Sequence, residues 1–91
     1  MNIFCGNLAF NLKPDEAQKD LEELFGQYGQ VLRVSVIADV MDPERSRGYG
    51  FVVMPIEDEA WKAISELNGS PFQGRALRLA PAEPPRWEKV G

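Results

Sequence analysis

The 91-residue chain has no histidine and a single cysteine, Cys5. One cysteine closes no internal disulfide, and no Cys/His set is present to hold zinc. Without histidine, Ser-His and Cys-His nucleophilic chemistry is excluded. No apolar run approaches the ~18 residues that span a bilayer. The opening Met1-Asn2-Ile3-Phe4 has no basic segment and no signal-type apolar stretch, so neither secretion nor membrane insertion is expected. Positive charge is also scarce: 10 Lys and Arg stand against 14 Asp and Glu, a net −4. A nucleic-acid binder is expected to be basic. That total argues against one unless the charge is unevenly placed.

What is present is enough for one small domain. A chain of this length buries about 60% of its unfolded surface, so its core is modest. Asn2–Gly6 is a short apolar run that reads as a strand. Residues 14–28 read as a helix. Ala17, Leu21, Leu24, Phe25 and Tyr28 form one stripe, with Pro14 at the first position and Asp15 and Glu16 at the positive end of the dipole. Val31–Ala38 is rich in β-branched residues and reads as a strand, with Leu32, Val34 and Val36 on one face and Arg33, Ser35 and Ile37 on the other. A polar loop follows over 39–46, then a strand over 48–54 that Pro55 stops. Residues 57–67 form a second helix with Ala60, Ala63, Ile64 and Leu67 as its stripe. Phe72–Arg75 is a turn region, and Ala76–Ala80 a last short strand.

The order β-α-β-β-α-β predicts an α+β, ferredoxin-like sandwich: a four-stranded antiparallel sheet with two helices on one face. The other face then meets solvent and should be polar. It is not. Alternation turns Ile3 and Cys5 inward and Phe4 outward, with Asn2 on Phe4's side. It turns Gly48, Gly50, Val52 and Met54 inward, and Arg47, Tyr49, Phe51 and Val53 outward. Phe4, Tyr49 and Phe51 are thus clustered on the two strands expected at the sheet centre. Arg33, Arg47 and Arg78 project from the same face. Exposed aromatics rimmed by polar groups mark a binding surface. Rings beside guanidiniums suit single-stranded nucleic acid, where bases stack and phosphates pair.

At these residues the chain resembles the RNA recognition motif family. Ile3-Phe4-Cys5-Gly6-Asn7-Leu8 is similar to the family's hexamer. Arg47-Gly48-Tyr49-Gly50-Phe51-Val52-Val53-Met54 is similar to its octamer at seven of eight positions. The exception is Met54, where an aromatic is usual; it points inward, so the change is one of packing. The resemblance covers residues 2 to about 82 and implies single-stranded RNA as the partner, with single-stranded DNA as a further candidate. It implies no catalysis, no cofactor and no metal. In size the chain resembles the small single-motif proteins of bacteria, which implies a bacterial, cytoplasmic RNA-binding protein. At the far edge Pro81 offers no backbone N–H, which removes one donor to a base.

The charge objection resolves by position. The two helices hold nine carboxylates against Lys19 and Lys62, a net −7, while the rest of the chain carries +3. A dipolar molecule can bind RNA with its positive face. Arg45 and Arg75 read as loop charges, and Cys5 as a small buried hydrophobe. The competing reading is a protein-binding module that uses the acidic helix face with Trp61 and Phe72. An enzyme on this fold would need a phosphate loop with a catalytic Arg and Asn, and none is found. Residues 1–82 form the domain and 83–91 a proline-containing tail. Extended at ~3.1 Å per residue, that tail carries Trp87 far enough to cap the aromatic face or extend it, with Arg86 beside it. The plainer reading is a loose end.

Overall fold

The computed structural model describes residues 1–82. Its elements are β1 (Asn2–Gly6), α1 (Pro14–Gly26), β2 (Arg33–Ala38), β3 (Ser46–Val53), α2 (Glu57–Leu67), β4 (Pro71–Phe72), β5 (Arg75–Ala76) and β6 (Arg78–Ala82). The four long strands form one antiparallel sheet in the order β2-β3-β1-β6. β1 and β3 are the central pair, as the sequence predicts. The expected β-α-β-β-α-β order holds, with one small hairpin added before the last strand. The sites proposed for Trp87 and Arg86 lie outside the described residues.

The core lies between one sheet face and the two helices. Ile3, Cys5 and Val52 from the strands and Leu21, Phe25 and Ala60 from the helices are all fully buried. Met54 is fully buried too, so its replacement of the usual aromatic is a packing change. Each helix begins on acidic residues with no side-chain cap: Asp15 and Glu16 in α1, Glu57, Asp58 and Glu59 in α2. These carboxylates favour the positive end of the dipole. Side-chain amides tie the helices to the sheet edges. Gln18 Oε1 of α1 accepts the Val36 amide at 3.0 Å, and Asn68 Oδ1 after α2 accepts the Leu79 amide at 2.9 Å.

The structure differs from the sequence reading in four places. α1 stops at Gly26, so Tyr28 packs from the following loop. β2 starts at Arg33, and Leu32 is 68% exposed instead of inward. The cause is a doubled residue: Arg33 is the register partner of Val53, yet Leu32 also donates to the Val53 carbonyl at 2.8 Å. Two residues opposite one break the alternation. β3 begins two residues early, at Ser46, which is buried. Its hydroxyl donates to the Ala9 carbonyl and accepts the Gly48 amide. Finally, the stretch read as a turn is a two-residue hairpin, β4–β5, and the last strand starts later, at Arg78. Gln73 and Gly74 at its tip both have positive φ (49° and 83°), the backbone of a tight hairpin turn.

Candidate nucleic-acid interface

Register places the candidate residues in rows across the open face. One row runs Arg33, Val53, Asn2, Ala82. The next runs Ser35, Phe51, Phe4, Ala80. In a third, Gly6 pairs with Arg78. Residues paired across antiparallel strands share a face. So Asn2, Phe4, Phe51, Val53 and Arg33 are brought together by backbone pairing alone, with Arg78 at the β6 edge and Arg47 near the start of β3. No carboxylate stands in these rows.

The three rings touch one another. Phe4 and Tyr49 are stacked, with centroids 6.0 Å apart and planes at 25°. Phe51 stands edge-on to both, at 5.9 Å from Phe4 and 6.1 Å from Tyr49. Each pair of this kind is worth about 0.5–1.5 kcal/mol beyond area burial. Mutual contact leaves the rings half-buried, not fully exposed as the alternation alone implies. The rings therefore form a pre-ordered platform whose outer faces remain open.

Glycines shape that platform. An added Cβ at Gly6 would lie 2.7 Å from Cε2 of Phe4, so the Phe4 ring lies over Gly6. Gly48 has φ +94°, and a Cβ there would meet Cε1 of Phe10 at 2.8 Å. At Gly50 a Cβ would collide with the Ser35 carbonyl and the Val36 Cα of β2. Both octamer glycines thus have backbone reasons to be glycine.

Arg33, Arg47 and Arg78 are exposed, and none forms an ion pair among the described residues. Arg45 pairs instead with Asp42 at 3.4 Å within its own loop. Arg75 is a departure from the loop-charge reading. Its Nη2 donates to Asn7 Oδ1 at 2.7 Å, while Asn7 Nδ2 donates to the Ala76 carbonyl. That fixes a cation at the β1–β6 edge. Phe10 was also missed: it is 63% exposed and packs over Gly48 beside the platform. Its signal in the sequence was an aromatic next to asparagine in the loop after the hexamer.

The back of the molecule does not assemble the competing site. Trp61 is 49% exposed on α2, but Phe72 is buried in the core. The hairpin turns Phe72 under the sheet, so the two residues do not form one surface. Cys5 is fully buried, and desolvation pushes its thiol up to about 12. Among the described residues no cluster of His, Cys, Asp and Glu could hold a metal ion. No helix among them is long and apolar enough to cross a membrane.

A helix-backed antiparallel sheet with contiguous rings and arginines on its open face defines a sheet-surface binding domain. The comparisons specify it: the RNA recognition motif family model matches residues 3–78, and the chain belongs to that family. The family is one of binding domains, not enzymes. The chain is 42% identical to the 29 kDa chloroplastic ribonucleoprotein A of Nicotiana sylvestris, over 92% of this chain but 30% of that protein. It thus spans less than a third of that relative's length. It is 37% identical to RbpA of Synechocystis sp., covering 92% of this chain and 78% of that one. Among solved structures, the crystal structure of RNA-binding protein PG1 superposes with a TM-score of 0.79 at 44% identity, covering 93% and 98% of the two chains. The second RNA recognition motif domain of the yeast poly(U)-binding protein Pub1 superposes with a TM-score of 0.75 at 31% identity, covering 91% and 94%.

Proposed function

We propose that this chain binds single-stranded RNA on the open sheet face. Bases stack on Phe4, Tyr49 and Phe51, and phosphates pair with Arg47, Arg33 and Arg78. The observation that carries this reading is the three-ring platform on β1 and β3, flanked by arginines and free of carboxylates in its rows. Relatives named as ribonucleoproteins and RNA-binding proteins support it. Rings supply affinity with little sequence preference, since every base has a π-face. Asn2 and Val53, beside Arg33 in the next row, border the strand's path.

Three arginines set the strength. Each phosphate neutralised on a single strand contributes about −0.7 to the salt slope, so a slope of about −2 is expected. With so few charges, and acidic helices behind them, affinity is on the order of micromolar or weaker. The test is a titration with labelled single-stranded RNA of random sequence, duplex RNA and single-stranded DNA. Single-stranded RNA should bind, and duplex RNA should not, because its bases are not free to stack. Single-stranded DNA should bind more weakly by whatever the 2′-hydroxyl contributes. Equal binding of duplex and single strand would remove the stacking platform from the account.

A further inference from the structure

The outer edge of β6 is closed to another strand. The Leu77 amide donates to the Ser70 carbonyl at 2.8 Å, and the Leu77 carbonyl accepts the Gly69 amide at 2.7 Å. The Leu79 amide is taken by Asn68 Oδ1, and Pro81 has no amide. An edge without free donors cannot template a peptide strand. Beside it lies a cleft of about 570 Å³, whose walls include Phe4, Asn7, Asn68, Arg78, Leu79 and Ala80. That volume lies within the range of small-ligand clefts, roughly 300–1,000 Å³.

The cleft's polar groups are specific. Asn68 spends Oδ1 on the Leu79 amide, and its Nδ2 donates to nothing among the described residues. In an antiparallel ladder a residue's N–H and C=O point to the same side. The Leu79 carbonyl therefore also faces outward, away from β1, and accepts no hydrogen bond among the described residues. A donor and an acceptor thus stand side by side. Arg78 adds positive charge to the cleft wall, and Arg75 is held next to it through Asn7. No carboxylate lines the space.

We propose that this cleft is a subsite for one further nucleotide of the strand bound on the aromatic platform. Its base enters against Phe4 and is read by Asn68 Nδ2 and the Leu79 carbonyl; its phosphate meets Arg78 and Arg75. Every base presents a donor and an acceptor next to each other on its pairing edge, so the cleft complements a base in a way the closed edge does not complement a peptide. The inference rests on the RNA-binding reading above.

The test compares randomised RNA trinucleotides and tetranucleotides on the whole chain, by calorimetry and by NMR of the Asn68 side-chain amide. Three rings hold up to three bases, so the cleft is engaged by the fourth. The parent should bind the tetranucleotide about five- to tenfold tighter, beyond the gain from a second binding register. The Asn68 Nδ2 signals should move with the tetranucleotide only. Ala76→Phe fills the cleft. Asn68→Asp keeps the acceptor for the Leu79 amide and removes the donor. In both variants, checked for an unchanged thermal transition, the fourth nucleotide should add only the register gain, while trinucleotide affinity stays at the parent value. A fourth nucleotide that strengthens parent and variants alike, or Asn68 signals that ignore it, overturns the subsite and leaves the platform standing. Failure of the trinucleotide to bind at all overturns both.

Discussion

The two faces of the sheet are made by the same strands and the same alternation, yet they have opposite fates. The inner face carries Ile3, Cys5, Val52 and Met54, all fully buried beneath the helices. The outer face carries Phe4, Tyr49 and Phe51, covered only by one another. Both are apolar, so hydropathy does not separate them. What separates them is company. Inner residues meet helix residues such as Leu21 and Phe25, whereas the outer rings have exposed arginines as neighbours. The acid is on the opposite side of the molecule, where the exposed helix positions include Glu22, Glu23, Glu57 and Asp58. A net charge of −4 is therefore a sum over two unlike surfaces.

Substitutions that move from one face to the other should change the observable, not only its size. The largest effect belongs to the core: Phe25→Ala should cost about 3–5 kcal/mol of stability, read by urea unfolding. On the outer face Gly6→Ala leaves every ring in place but pushes Phe4 off its seat. Stability should change little, while RNA affinity falls by less than the ~1–3 kcal/mol lost when a stacking ring is removed. If Gly6→Ala unfolds the chain and leaves affinity intact, the two faces are not as independent as described. Arg47→Ala should make the salt slope shallower by about 0.7. An unchanged slope would take Arg47 out of the phosphate contacts. The smallest effect is a null one at Cys5. Burial raises its thiol from the ordinary 9.0 to about 12, so at pH 8 it stays protonated and unreactive. A thiol reagent should label it only as fast as the chain opens.

The fold was legible because its long elements carry strong local patterns. α2 spans 57–67 as its stripe of Ala60, Ala63, Ile64 and Leu67 predicts. The hexamer and octamer pair as the central strands, and the parity of Phe4, Tyr49 and Phe51 put them on one face before any coordinate was known. What escaped depends on contacts distant in sequence or on turns too short for a period. Leu32 looked inward because alternation cannot reveal a doubled residue opposite Val53. The β4–β5 hairpin has two residues per strand, which hides that Phe72 belongs to the core. The β6 cleft depends on Asn68 bonding Leu79 and on Asn7 reaching Ala76 and Arg75, pairings that no local pattern announces. Proline 81 correctly flagged a missing donor at that edge, but not that the neighbouring amides are already taken.

The central claim is that the outer rings bind and do not fold. It is tested most directly by the combined variant Phe4→Ala, Tyr49→Ala and Phe51→Ala, measured in parallel for thermal unfolding and for affinity to random single-stranded RNA. Each ring is expected to contribute about 1–3 kcal/mol to binding. The account therefore predicts a cooperative unfolding transition and no measurable RNA binding. A folded variant that binds RNA as tightly as the parent would contradict it.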